Sequence, residues 1–264
     1  MCDEKIHPVE VPQVLYKYRS YDKRSIRMLV ENKLYFAPPI KFNDPFDCAL
    51  KVEIDKDMTS EEFLQGQKAY ALKNGIDWQD YEQKLKTQCF DSAGKIKPRV
   101  FKQLRTNVKA VRHKHLKKHG VCCFCKQNND ILLWAHYANK HKGFCIEFRY
   151  DQDYFLGKYV LYGRDYPSVK VPDIFMNDDE EKKIGESVWT KSCGWSYEQE
   201  WRVVRNEVGE VEYDPSLIKG IIFGCRMGKP SKNKIRIALK DRPHIQYYDA
   251  KLSSERFELD IVPA

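Results

Sequence analysis

The chain reads as a single α+β domain built on a central, mostly antiparallel split β-sheet flanked by helices. Three observations predict this class. Strand-forming residues open the chain, residues 60–119 carry mostly helical spacing, and after Gly120 short apolar segments recur to the C-terminus. Helices placed between strands, followed by a run of strands, are the pattern of an α+β domain. Residues 1–264 are therefore expected to form one domain, with the basic helical stretch at about 60–119 as an insertion. A hydrophobic content of 42%, with 16 Tyr, 13 Phe and 5 Trp, supplies ample material for a core.

The elements follow in order. Residues 14–18 (Val-Leu-Tyr-Lys-Tyr) are strand formers, and 25–32 read as a short helix with Ile26, Leu29 and Val30 on one side. Residues 34–37 make a second strand, stopped by Pro38 and Pro39. Residues 42–47 are turn chemistry, since Asn43 and Asp44 can bond their own backbone and Pro45 fixes a dihedral. The helical stretch 60–119 breaks near 91–98. Residues 121–125 form a strand, and residues 128–130 (Asn-Asn-Asp) cap a helix from Ile131 to about His141, with Gly143 at its C′ position. Strands are expected at 144–148, 158–162, 201–204, 218–223, 234–238, 245–248 and 257–262.

Several function classes are set aside at once. No apolar run approaches the ~20 residues of a membrane helix, and the first residues lack a basic-then-apolar signal pattern. Nine scattered cysteines fit a reduced, cytoplasmic setting. Cys122-x2-Cys125 with His136-x4-His141 is a poor zinc finger, because two cysteines three apart on one strand point to opposite faces. Neither a phosphate-binding glycine loop nor a Gly-x-Ser-x-Gly elbow is present. The net charge is +8, and from Arg99 to His119 the chain carries eight Lys or Arg and no acid. A solvated helix face balanced by Asp178-Asp-Glu-Glu181 accounts for that run; attraction to phosphate is the sharper reading.

The strongest chemical signal lies at residues 195–202, Trp-Ser-Tyr-Glu-Gln-Glu-Trp-Arg. On a strand, Glu198 and Glu200 share one face, and Tyr197, Gln199 and Trp201 take the other. Adjacent carboxylates repel, so each needs a cation, a proton or a task. Lys191 and Arg202 can supply the cations, which is the structural alternative to a catalytic role. Upstream, Trp134, Tyr137 and Ala138 form a helical stripe with His136 beside it, a pattern met more often in cores than in cofactor platforms.

Four segments together resemble the bacterial domain-of-unknown-function family 2971. They are Leu15-Tyr-Lys-Tyr-Arg19, then residues 34–47 from Leu-Tyr-Phe-Ala to Asn-Asp-Pro-Phe-Asp, then 123–148 with its Trp-Ala-His-Tyr-Ala, and finally 191–202. They span roughly residues 14–224. The chain departs at Cys125, where a serine is expected, and at Asp47, where a glutamate is commoner. The layout is similar to ADP-ribosyltransferases, which implies NAD as substrate and no metal. By that resemblance Tyr18 and Arg19 touch ribose or pyrophosphate, and Tyr35 or the Asn43-Asp44 turn takes the middle role. Glu200 becomes the catalytic carboxylate with Glu198 as its partner. His136 and Tyr137 belong to the same cleft, and Arg19, Lys191 or Arg202 neutralises pyrophosphate.

The implied activity is transfer of ADP-ribose from NAD to a protein or nucleic-acid acceptor, in a bacterial or phage-defence or toxin setting. The basic stretch 99–119 points to nucleic acid. Two other readings stay open. One is a non-enzymatic nucleic-acid-binding or regulatory module with a structural carboxylate pair. The other is a metal-dependent nuclease using Asp44, Glu198 and Glu200.

Overall fold

The computed structural model describes residues 11–53, 58–170 and 185–264. Eight strands form one continuous sheet. Its spatial order is β14 (Leu259–Pro263), β13 (Gln246–Leu252), β12 (Ile218–Phe223), β5 (Phe144–Arg149), β1 (Val14–Arg19), β4 (Gly120–Cys125), β10 (Glu200–Arg205) and β6 (Gly157–Tyr159). Neighbours run antiparallel except β12 and β13. The mostly antiparallel sheet of an α+β fold is therefore present. Three two-stranded ladders accompany it: β2 (Lys33–Phe36) with β11 (Gly209–Glu212), β3 (Lys51–Glu53) with β8 (Ser168–Lys170), and β7 (Leu161–Gly163) with β9 (Thr190–Ser192). The helices are α1 (Lys23–Val30), α2 (Ser60–Lys73), α3 (Trp78–Cys89), α4 (Pro98–Lys118), α5 (Ile131–Tyr137), α6 (Gln152–Phe155) and α7 (Lys229–Ala238).

Strand alternation sorts side chains onto two faces. Leu15, Phe124, Phe148, Trp201 and Val203 point one way, into a core shared with Leu34 and Phe36 of β2. Tyr18, Cys145 and Ile222 point the other way, against Leu133 and Trp134 of α5. Each such buried large apolar side chain stabilises the fold by about 1.5–3 kcal/mol. The stretch 60–118 is helical with its break between α3 and α4, as expected. Phe63, Leu85, Phe90, Val100 and Leu104 give it a core of its own. Farther along α4, Val108 packs on Val169, and Leu116 packs with Cys48, Val121 and Val188.

The structure corrects four expectations. Residues 234–238 belong to α7, not to a strand. Pro230 sits in the first turn, where its missing N–H costs nothing, and Ile235 and Leu239, four apart, are buried on one side. This helix is the crossover that the parallel β12–β13 pair requires. Residues 158–162 split between sheets: Tyr159 pairs with Trp201, and Leu161 pairs with Thr190. Helix α5 stops at Tyr137, short of His141, because Asn139, Lys140 and His141 adopt left-handed backbone (φ 47°, 55° and 66°). Gly143 is not the left-handed cap. It is needed because a Cβ there would lie 2.1 Å from the Arg19 carbonyl oxygen.

The eight described cysteines are all free, and no helix among the described residues is long and apolar enough to cross a membrane. Cys2 and the acidic run at 178–181 lie outside the described residues.

Gly120, the first residue of β4, offers a test of close packing. A Cβ there would stand 2.1 Å from the Glu207 carbonyl oxygen and 2.7 Å from Phe36 Cβ. Gly120→Ala is expected to cost about 1–3 kcal/mol, read as a lower urea midpoint at unchanged slope.

Candidate functional site

Arg202 points from β10 into the interior and has no solvent exposure. Its Nε donates to Glu200 Oε1 at 2.7 Å, and its Nη1 donates to the Val188 carbonyl at 2.5 Å. Nη2 donates to both Asp47 oxygens, at 2.9 and 2.8 Å, and to Glu200 Oε2 at 3.2 Å. Lys191 of β9 completes the network. Its Nζ donates to Glu198 Oε2 at 2.5 Å and Glu200 Oε2 at 3.1 Å, with Asp47 Oδ2 at 3.8 Å. Tyr137 of α5 donates its hydroxyl to Glu198 Oε1 at 2.7 Å. Three buried carboxylates thus face two buried cations.

Burial pushes the Glu200 carboxyl up, but Arg202 and Lys191 outweigh it and hold the group at about 2. Burial pulls the other way on Lys191, yet Glu200 and Glu198 raise it above the ordinary lysine range. Glu200 and Lys191 therefore stay charged around neutral pH. Burial and then the nearby Glu198 carboxylate raise Tyr137, so its hydroxyl keeps its proton.

Glu198 and Glu200 meet at one lysine, but not by strand periodicity. Residues 193–198 form a 3₁₀ turn, Gln199 is left-handed (φ 43°), and Glu200 is the first residue of β10. The expectation of a shared strand face fails at Gln199, where the chain turns over and delivers both carboxylates to Lys191. Cys48, directly after Asp47, is left-handed as well (φ 56°). At both places a non-glycine residue accepts an unfavourable backbone next to an acid of the network.

Aromatic rings rim the network. His136 lies 6.3 Å from both Tyr137 and Trp195, Tyr197 lies 6.0 Å from Trp195, and Lys191 Nζ sits 5.1 Å from the Trp195 ring. Beyond Lys191 and Trp195 opens a cleft of about 420 Å³, whose wall includes Asp44, Phe46, Arg164 and Tyr166. Asn43, from the same turn, lies beside the Tyr137 hydroxyl.

Residues 133–203 match the family described as a protein of unknown function, DUF2971. The matched segment contains Tyr137, Lys191, Glu198, Glu200 and Arg202 and leaves out Tyr18, Arg19, Tyr35 and Asp47. The resemblance noted from the sequence is supported over that segment. No curated protein and no solved structure matches the chain.

The structure gathers Glu198, Glu200, Lys191, Arg202, Tyr137, His136 and Asn43, and it puts Asp44 on the cleft wall. The others are placed elsewhere. Tyr18 is buried against Trp134 (ring centroids 5.1 Å) and donates to the Gln127 carbonyl at 2.9 Å, while β4 separates its strand from β10. Arg19, the next residue, necessarily faces the opposite side, where Cys122 and Tyr213 are its neighbours. Tyr18 and Arg19 therefore cannot hold one ligand together against Glu200. Tyr35 is on β2, over that opposite face, with the Arg24 guanidinium 4.4 Å from its ring. A nuclease centre on Asp44, Glu198 and Glu200 is not assembled. Lys191 bridges the two glutamates, Asp44 accepts the Phe46 N–H at 2.9 Å, and among the described residues no three His, Cys, Asp or Glu gather to hold a metal.

Sequence reasoning missed Asp47, Trp195, Arg164 and Tyr162, whose hydroxyl accepts the Glu200 N–H at 2.8 Å. Two glutamates and two cations already balanced, so charge counting gave no reason to seek a third carboxylate. The signal that existed was Asp47 closing the turn chemistry of residues 42–47.

Glu200 gives the site a pH signature. Its folded pKa of about 2 lies below its ordinary 4.5, so its contribution is fully present above 4.5 and is lost as pH falls toward 2. Urea denaturation across that window is expected to show a flatter pH dependence for Glu200→Gln than for the native chain. Equal slopes would remove Glu200 from the acid-sensitive groups.

Proposed function

We propose that the chain binds NAD in this cleft and transfers its ADP-ribosyl group, with Glu198, held directly behind the cleft-lining Lys191, as the carboxylate that acts on the reacting sugar. The observation carrying this reading is an excess of buried carboxylate, three against two cations, beneath an aromatic rim. Both the pyridinium ring of NAD and an oxocarbenium-like transition state are positively charged, so such a site favours each of them. Trp195 and Tyr166 offer flat surfaces for the rings, and Arg164 at the cleft wall suits pyrophosphate. In the step, the nicotinamide–ribose bond breaks and its electron pair leaves with neutral nicotinamide. The acceptor nucleophile bonds to the ribose carbon, and its proton passes to Glu198.

Within the glutamate pair this reverses the roles expected from sequence. Both Glu200 oxygens are already occupied by Arg202 and Lys191. Glu198 shares the Lys191 ammonium on Oε2, but its Oε1 is held only by a tyrosine hydroxyl, a weaker tie than a buried guanidinium. Glu200 is accordingly the anchor. A reducing, cytoplasmic setting in a bacterial or phage-defence context accompanies the reading, and eight free cysteines agree with the reducing part. The complete pairing of Glu200, Arg202 and Asp47 favours a second reading, a non-enzymatic binding module whose ion network is structural.

Two measurements separate them. Under the first reading, NAD raises the melting temperature by binding linkage, and nicotinamide is released. Glu198→Gln is expected to keep a native-like melting temperature and to lower release by at least a hundredfold. Neither a thermal shift nor release from the native protein would select the binding module.

A further inference from the structure

The acid-free stretch becomes a defined surface on α4. Between Asp91 and Asp130 the chain has no Asp or Glu. Val100, Leu104, Val108 and Leu116 bury one side of the helix. On the solvent side, Lys102, Lys114 and Lys118 fall on one i, i+4 row, and Arg105, Lys109 and Lys117 fall on the next. All six are exposed, and none pairs with an acid among the described residues. At 1.5 Å per residue the double row runs about 24 Å. The residues between them on those rows are Thr106, Ala110 and His113, and the one large apolar side chain that α4 exposes, Val111, lies on the neighbouring row, too little to enter a bilayer.

The same helix is tied to the cleft. Val108 packs on Leu50, Val52 and Val169, which carry the β3–β8 ladder. The segments leading into those two strands, residues 44–49 and 163–167, form the cleft wall. Arg112 also donates to the Cys48 carbonyl, directly after Asp47. A polyanion lying along α4 would therefore be held on the scaffold that shapes the cleft.

We propose that the exposed double row of α4 binds the phosphate backbone of a nucleic-acid strand and so brings that strand to the cleft as acceptor. The acceptor role rests on the NAD reading. The binding does not, and it is tested without NAD. Fluorescence anisotropy with a labelled 12-nucleotide single strand and its duplex, at 50 to 200 mM salt, reads the affinity and its salt slope. The native protein is expected to bind at least one of them with affinity falling steeply as salt rises. The triple variant Lys102→Glu, Arg105→Glu and Lys109→Glu changes only exposed positions. It is expected to bind at least tenfold more weakly at 50 mM salt, with a slope smaller by roughly two to three, at a native-like melting temperature.

Unchanged affinity in the variant overturns the proposal, as does a native protein that ignores both probes or binds only phosphatidylserine vesicles. Strand binding without nicotinamide release would leave the surface standing while removing the NAD reading. Release without strand binding would do the reverse.

Discussion

A guanidinium with no solvent contact must find its acceptors inside the protein, and Arg202 finds them on three separate stretches of chain. Glu200 comes from its own strand, Asp47 from the turn after the first two strands, and Val188 from the segment before β9. Leaving such a buried charge unpaired costs several kcal/mol, so these stretches are held together by the penalty for parting. Lys191 extends the tie to Glu198, and Tyr137 extends it to α5. The walls of the cleft and the rim of rings above it are consequences of that closure. A single arginine thus sets the geometry in which any ligand must fit.

The closure is not free. Gln199 and Cys48 both take left-handed backbone, which costs an ordinary residue about 1–2 kcal/mol. Each lies beside a carboxylate of the network, and at Gln199 the unusual turn is what aims Glu198 and Glu200 at the same ammonium. The electrostatic gain from keeping Glu200 ionised between Arg202 and Lys191 opposes that strain. The third carboxylate, Glu198, is tied through the Tyr137 hydroxyl to the helix that bears the rim.

Much of the fold was legible because strand and helix periods are local. The short apolar run of Phe144–Arg149 and the apolar spacing of Pro98–Lys118 need no partner to be recognised. Residues 234–238 were misread because five residues with two isoleucines fit either period, and the Gly228 and Pro230 start signals lie upstream of that window. In the site, the pairing of Lys191 and Arg202 with the two glutamates followed from nearness in sequence. Asp47 did not, since 155 positions separate it from Arg202. Arg19 failed for the simplest reason. It adjoins Tyr18 on a strand, and strand neighbours look in opposite directions.

The way Arg202 is shared also limits how the chain can change over generations. Replacing Arg202 alone leaves three carboxylates to one cation in a dry interior, and replacing Asp47 or Glu200 alone leaves the guanidinium short of acceptors, so each single step passes through a damaged protein. Exchanging the whole trio for well-packed apolar side chains avoids that penalty, but it requires several substitutions at once. Descendants of this sequence are therefore channelled toward keeping the set intact, whatever changes in the cleft above it. Tyr137, a neutral side chain that reaches toward the rim, is where new chemistry can be tried with the frame still closed.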